Sequence, residues 1–214
     1  MSSTRRLPVY ILIDTSGSMR GEPVLSVNVG IQSMMNTLRQ DPYALESVHL
    51  TIITFDNEAR VTLPMTPISE VQFGGVTIPG PGATFTGAAL EQLIQCIDRD
   101  VKRSTDNEKG DWRPLVFLMT DGSPSDTYAF EQAIPQLKAR NPASVIACAA
   151  GPKAKTSHLS QLADQVVSMD TMDEAAFSGF FKWVSASVSA GSASAGVSGS
   201  VSLPPPPPEV QLVL

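Results

Sequence analysis

Apolar residues along the chain follow two patterns, one typical of buried strands and the other of helices. Continuous apolar runs stand at 7–13, "LPVYILI", and at 114–119, "PLVFLM", as expected for strands covered on both faces. Further strand-like segments are 48–55, 59–63, 144–150 and 165–169. The first two of these are joined by the turn "DNE", which predicts one antiparallel hairpin.

Helical periodicity fills the intervals between these strands. The predicted helices are 24–38, a segment that opens at Thr84 or Thr86 and runs to 101, then 128–140, 158–163 and 173–188. This alternation favours a doubly wound α/β fold, with a mostly parallel six-stranded sheet, helices on both faces and one antiparallel edge strand. In such a sheet, ligands bind at the carboxyl ends of the strands.

The C-terminal region has a different composition from the rest of the chain. Residues 185–203 are almost wholly Ser, Ala, Gly and Val, as in flexible linkers, and prolines occupy 204–208. We therefore divide the chain into a folded domain, 1–188, and a flexible tail, 189–214. In the alternative interpretation, the prolines form a polyproline II segment and "EVQLVL" docks as an apolar hook on the domain or on a partner.

Composition and charge narrow the classes of function. The 214 residues suffice for one domain with a sizeable core, and the net charge of −6 argues against nucleic-acid binding. No apolar stretch approaches the roughly 20 residues of a membrane span, and the N-terminal apolar run does not fit a signal peptide, so we expect a cytoplasmic protein. Cys96 and Cys148 stand in apolar segments and are expected to be buried free thiols.

Small oxygen-bearing side chains follow the two most apolar strands. Asp14, Ser16 and Ser18 occupy alternate positions in "DTSGS", and Asp121 ends the run "FLMTD". Thr84 follows a Gly- and Pro-rich loop, with Thr86 as the alternative in that segment. Carboxylates and hydroxyls are hard ligands suited to Mg²⁺, Mn²⁺ or Ca²⁺, and the sequence offers no Cys/His cluster for zinc. The pattern therefore predicts a site for one divalent cation.

Neutral hydroxyl ligands would leave such a cation electrophilic. If the aspartates bind it through water, little negative charge compensates the ion, and an open coordination position can accept an anionic ligand. This donor set suits recognition of an Asp or Glu side chain on a protein partner. We therefore expect a binding module and no catalysis.

Other interpretations of the same residues stay open. Asp14, Ser16 and Ser18 also have the composition of a helix N-cap turn. A phosphoryl-transfer enzyme with Asp14 as nucleophile typically has a second Asp where this chain has Ser16, which cannot exchange a proton near neutral pH. A scaffold whose metal is purely structural is a further alternative. Asp56 and Asp126 are interpreted as solvated acids, Asp126 with a capping role for the helix that follows it.

Three motifs resemble the metal-ion-dependent adhesion site (MIDAS) of von Willebrand factor type A domains: "DTSGS", "GATFTGAAL" and "LMTDG". The resemblance covers residues 7–185, and the whole chain is similar to the bacterial TerY-like branch linked to tellurium resistance. It implies a protein-binding role in a multiprotein stress-response system with kinase-like and phosphatase-like partners.

The resemblance also implies a set of metal ligands. These are Ser16, Ser18 and Thr84, bound directly, and Asp14 and Asp121, bound directly or through water. The family often has Gly-Gly-Thr where this chain has Gly82-Ala83-Thr84, which keeps Thr86 as an alternative ligand.

Overall fold

The computed structural model describes residues 5–152, 154–194 and 203–213 of the chain. Within these ranges one sheet contains seven strands: β1 (Leu7–Asp14), β2 (Val48–Phe55), β3 (Ala59–Pro67), β4 (Leu115–Thr120), β5 (Ser144–Ala150), β6 (Gln165–Met169) and β7 (Gln211–Leu212). The strand order is β3-β2-β1-β4-β5-β6-β7. The five inner strands are parallel, and the edge strands β3 and β7 are antiparallel to their neighbours.

The doubly wound fold predicted from the sequence is confirmed, with one difference in the sheet. β2, β5 and β6 have the predicted bounds, and β3 pairs with β2 as the predicted hairpin but continues to Pro67. The sheet has seven strands instead of six and two antiparallel edge strands instead of one, because β7 comes from the tail.

Six α-helices connect the strands in the described part of the chain: α1 (Glu22–Gln40), α2 (Pro42–Ser47), α3 (Thr86–Asp100), α4 (Thr127–Ala139), α5 (Thr156–Leu162) and α6 (Glu174–Ser194). Hydrophobic periodicity did not indicate α2, since six residues are too few to show a period. Its start is fixed by Asp41, whose side chain accepts hydrogen bonds from Tyr43 N and Ala44 N.

Alternate residues of β1 face two separate hydrophobic cores. Ile11 and Ile13 pack in one cluster with residues of α1 and α6. Tyr10 and Leu12 pack in the other with residues of α3, α4 and α5. Because both faces are covered, the strand has no solvated side, which accounts for its continuous apolar run. Polar chemistry is thereby confined to the strand ends.

Residues 203–213 pack against the domain, so the expectation of a flexible tail does not hold for them. Nε1 of Trp183 in α6 donates to the carbonyl oxygen of Pro204 at 2.8 Å, and Val210 is 2 % exposed. β7 pairs with the otherwise open edge of β6. Residues 189–194, also assigned to the tail, continue α6. The docked alternative thus describes 203–213, whereas 195–202 lie outside the described residues.

Two further predictions concern the absence of a membrane span and the burial of the cysteines. Among the described helices, none has the length and apolar character needed to cross a bilayer. Cys96 and Cys148 are both buried and free, as predicted.

Candidate metal centre

Two aspartates end neighbouring strands at the same edge of the sheet. Asp14 is the last residue of β1, and Asp121 directly follows Thr120, the last residue of β4. The two strands pair in parallel with Ile13 opposite Met119, so both acids lie at the carboxyl edge. Asp14 is fully buried, and Asp121 is 9 % exposed. The fold therefore brings together two acids that are distant in the sequence.

The loop after β1 adds two hydroxyls to these acids. The backbone N–H of Ser16 donates to Oδ1 of Asp14 at 2.8 Å. The Oγ atoms of Ser16 and Ser18 lie 3.2 Å apart, with Ser16 buried and Ser18 exposed. The adjacent hydroxyls thus connect a buried carboxylate to the protein surface.

The segment before α3 places Thr84 beside the loop that carries Asp121. A Cβ added to Gly122 would lie 3.1 Å from Oγ1 of Thr84, so this hydroxyl stands next to the residue that follows Asp121. Thr86 begins α3 and is fully buried, and its Oγ1 has no hydrogen-bond partner in the described part of the protein. Thr84 has the better position for a ligand, because its hydroxyl stands next to the residue that follows Asp121.

The donors around Asp121 fit a hard divalent cation. Oδ1 of Asp121 is buried and has no hydrogen-bond partner within the described residues. An unpaired buried carboxylate oxygen costs free energy unless a ligand or water satisfies it. No group of three or more His, Cys, Asp or Glu side chains that could hold a metal occurs in the same ranges, so a cation here depends on hydroxyl ligands. Two carboxylates with three hydroxyls suit Mg²⁺, Mn²⁺ or Ca²⁺.

Burial gives Asp14 an unusual affinity for protons. Desolvation raises its pKa from 3.8 to about 6, against the hydrogen bonds from Thr120 and Ser16, which lower it. The negative charge of Asp121 raises the pKa further. A cation next to these two acids would oppose both effects, because it favours the ionised carboxylate.

Thr120 is a site residue that the sequence analysis did not identify. Its Oγ1 donates to Oδ2 of Asp14 at 2.6 Å and accepts a hydrogen bond from Gly122 N at 3.2 Å. One hydroxyl thus joins the ends of β1 and β4. Its position directly before Asp121, in "LMTDG", was the available signal, but a threonine inside an apolar strand is equally typical of the core.

The β2–β3 turn holds the loop before α3 in place. Phe85 N donates to the carbonyl oxygen of Asp56 at 2.9 Å, and Ala83 N donates to Oδ1 of Asn57 at 2.8 Å. Asp56 is 4 % exposed and pairs with Arg60 at 3.1 Å. The interpretation of Asp56 as a solvated acid was therefore wrong, because the loop before α3 folds over the turn and covers it.

Asp126 caps a different helix from the one predicted. Its carboxylate accepts hydrogen bonds from Gly87 N at 3.0 Å and Ala88 N at 2.9 Å, both in the first turn of α3, and makes no capping bond to its own helix, α4. The two helix starts are in close contact, since a Cβ on Gly87 would lie 2.4 Å from the backbone nitrogen of Phe130. Helix packing, which the local sequence does not encode, decides which N–H groups this acid meets.

Comparison with known proteins agrees with this architecture. A sequence model of the von Willebrand factor type A domain matches residues 9–178. Similar solved structures include the pilus adhesin SpaC from Lactobacillus rhamnosus GG, with a TM-score of 0.69 and 11 % identity over 89 % of this chain and 31 % of that one. Another is proximal thread matrix protein 1 from the mussel byssus, solved with a zinc-occupied MIDAS motif, with a TM-score of 0.60 and 16 % identity over 86 % of this chain and 48 % of that one.

A third similar structure is a von Willebrand factor type A protein from Catenulispora acidiphila, with a TM-score of 0.60 and 17 % identity over 87 % of this chain and 43 % of that one. At such identities the likeness shows the fold alone. The chain spans about half the length of the mussel protein and less of the other two. No curated protein sequence matches it.

Proposed function

Because the chain belongs to the von Willebrand factor type A domain family, we propose that it is a divalent-cation-dependent protein-binding module. In this proposal, the bound cation engages an acidic side chain of a protein partner. The observation that carries the proposal is the convergence of Asp14, Ser16, Thr84 and Asp121 at one edge of the sheet, with the exposed hydroxyl of Ser18 beside them.

Each of these residues has a distinct task in the proposal. Ser16, Ser18 and Thr84 supply neutral oxygens, and Asp14 and Asp121 supply the negative charge, directly or through water. When bound, the cation supplies a positive centre that attracts a carboxylate. The exposure of Ser18 supports an approach of the partner from that side, because the remaining oxygens are largely buried.

Mg²⁺ is the cation we propose first, with Ca²⁺ and Mn²⁺ as alternatives. All donors in the set are oxygens, which these hard ions prefer, whereas zinc sites are dominated by nitrogen and sulfur ligands. Mg²⁺ also favours sites with few carboxylates that leave room for water or an external ligand.

The cellular part of the proposal rests on the sequence resemblance. The similarity to the TerY-like branch supports a role in bacterial tellurium resistance or stress response, with kinase-like and phosphatase-like partners. A cytoplasmic location is part of the proposal as well, and it rests on the apolar pattern of the sequence. We propose no catalytic activity, since Ser16 stands where phosphoryl-transfer enzymes place a second acid. If the protein hydrolysed a generic aryl phosphate and Asp14→Asn abolished this activity, the proposal of no catalysis would be contradicted.

The first experiment is a calorimetric titration of the chelator-treated protein with Mg²⁺, Mn²⁺ and Ca²⁺. We expect one-to-one binding in the wild type and none in Asp14→Ala. Asp106→Ala is the matched control, because Asp106 is an exposed aspartate in the loop before β4, and we expect wild-type affinity. Absence of binding by the wild type would overturn the metal part of the proposal.

A second experiment separates recognition from a purely structural metal. Partner capture from the native host is compared in Mg²⁺ and in chelator, for the wild type and for Asp14→Ala, and circular dichroism follows folding. We expect capture to require both the metal and Asp14 while the variant stays folded. Capture that is insensitive to chelator, or a variant that unfolds outright, would favour a structural metal.

A further inference from the structure

Ser125 holds Thr84 through both polar groups of its peptide backbone. Ser125 N donates to the carbonyl oxygen of Thr84 at 2.8 Å, and Thr84 N donates to Oγ of Ser125 at 3.3 Å. Thr84 itself precedes α3 and has no helical hydrogen-bond ladder of its own. The neighbours of Thr84 are held by the β2–β3 turn, and the peptide groups of Thr84 itself are held by a residue of the loop that follows β4.

The same loop also fixes the segment that follows Thr84 in the sequence. Asp126, the neighbour of Ser125, accepts hydrogen bonds from the first turn of α3 at Gly87 and Ala88. The loop also carries Asp121 at its beginning. One short segment thus holds an acidic candidate ligand and sets the position of the threonine ligand opposite to it.

We propose that Ser125 is a positioning residue that makes the site selective for a small cation, Mg²⁺, over Ca²⁺. This inference rests on the proposed metal-binding function. Mg²⁺ requires near-ideal octahedral geometry with oxygens at about 2.0–2.1 Å, whereas Ca²⁺ accepts about 2.3–2.6 Å and irregular arrangements. A threonine held at N–H and C=O has little freedom to move away from the ion. Greater mobility of Thr84 should therefore lower the affinity for Mg²⁺ more than the affinity for Ca²⁺.

The test compares the full-length wild type with Ser125→Ala by calorimetric titration with Mg²⁺ and with Ca²⁺. Removing the hydroxyl leaves Thr84 N without its acceptor, and we expect Mg²⁺ affinity to fall about 10-fold and Ca²⁺ affinity less than about 3-fold. Ser125→Thr keeps the hydroxyl at this exposed position and is expected to restore the selectivity.

The matched control is Ser123→Ala, which removes a hydroxyl from the same loop. Among the hydrogen bonds of the described residues, those that reach Thr84 from this loop come from Ser125. We expect both affinities of Ser123→Ala to equal those of the wild type.

A second measurement is made on the protein without metal. Hydrogen exchange of the Thr84 amide in the chelator-treated protein should be faster in Ser125→Ala than in the wild type and unchanged in Ser123→Ala. If the wild type binds metal but Ser125→Ala loses Mg²⁺ and Ca²⁺ affinity equally, or loses neither, the inference is overturned and the proposed function is not. A wild type that binds neither ion would overturn the proposed function and this inference with it.

Discussion

Oγ1 of Thr120 donates a 2.6 Å hydrogen bond to Oδ2 of Asp14, and this bond joins the ends of β1 and β4 inside the protein. The carboxylate also accepts from Ser16 N at its other oxygen. Both donors favour the ionised acid in a place where burial disfavours it. If Asp14 binds the proposed cation, Thr120 would assist by keeping the carboxylate ionised, without touching the ion itself.

Thr120→Val should weaken divalent-cation binding without unfolding the domain. The substitution keeps the shape of the side chain but removes the donor to Asp14, so the pKa of that acid rises further and protons compete better with metal. A hydrogen bond to a charged group contributes about 1.5–3 kcal/mol, and since the pKa of Asp14 starts at about 6, proton competition should lower the Mg²⁺ affinity about 2- to 15-fold at pH 7. Calorimetric titration measures it.

The control for this variant is Thr51→Val in strand β2, which is separated from β4 by β1. Thr51 is also fully buried, but its Oγ1 has no hydrogen-bond partner in the described part of the chain. We expect unchanged metal affinity and equal or slightly higher stability. Equal metal affinities for Thr120→Val and the wild type would show that the bond between Thr120 and Asp14 does not assist binding.

Metal affinity should fall as the pH decreases through about 6, the pKa of Asp14 in the metal-free protein. Below this value the acid is protonated and its negative charge is lost. Calorimetric titrations at pH 5, 6, 7 and 8 test the expectation. An affinity that stays constant from pH 8 to pH 5 would mean that metal binding does not release a proton from Asp14, and hence that Asp14 is not a ligand.

The stability of the metal-free protein, unlike the metal affinity, should rise as the pH decreases. The pKa of Asp14 is about 6 in the folded protein, above its ordinary value of 3.8, so the folded state binds this proton more tightly than the unfolded chain. The contribution of Asp14 to the free energy of unfolding therefore rises as the pH falls from about 7 to about 4, by on the order of 3 kcal/mol. Urea unfolding with chelator should show this rise in the wild type relative to Asp14→Asn; identical pH dependences would contradict it.

Gly87→Ala should destabilise the contact between α3 and α4. A Cβ at this position would lie 2.4 Å from the backbone nitrogen of Phe130 and 2.7 Å from Oδ2 of Asp126, so the helix starts must separate. Forced repacking of this kind costs about 1–3 kcal/mol, which urea unfolding can measure. At Gly74, by contrast, an added Cβ meets nothing within 4 Å, and Gly74→Ala should change stability by less than about 0.5 kcal/mol. Similar effects of the two variants would contradict the close approach.

Val210→Asp should release the docked tail. Val210 is 2 % exposed, whereas the nearby Leu212 is 50 % exposed, so Leu212→Asp serves as the control. We expect Val210→Asp to lower the free energy of unfolding by about 2 kcal/mol. It should also speed hydrogen exchange of the Val213 amide, which donates to the carbonyl oxygen of Val166. Unchanged exchange at Val213 would show that Val210 does not anchor the tail.

Features that depend on neighbours along the chain were predicted well from the sequence. β2, β5 and β6 have the bounds that their apolar and β-branched composition indicated. The positions of Asp14 and Asp121 at the carboxyl edge of the sheet could be predicted, because each acid follows an apolar run. A strand that is covered on both faces excludes charge from its interior. The parallel order then placed both acids at one edge.

Features that depend on contacts between distant segments could not be predicted in this way. The choice between Thr84 and Thr86 as a candidate ligand follows from the approach of Gly122 to Thr84. Composition was also misleading for 203–213, because a short segment becomes ordered where Trp183 offers a donor and β6 offers an open edge.

The sequence by itself therefore determined the alternation of strands and helices and the kinds of oxygen donor that stand at the strand ends. Hydrophobic burial acts residue by residue and leaves a periodic trace along the chain. Only the tertiary structure decided that Thr120 donates to Asp14 and that Asp126 caps α3 in place of α4. A hydrogen bond needs its two atoms within about 3 Å, and that distance is set by packing between elements far apart in the sequence.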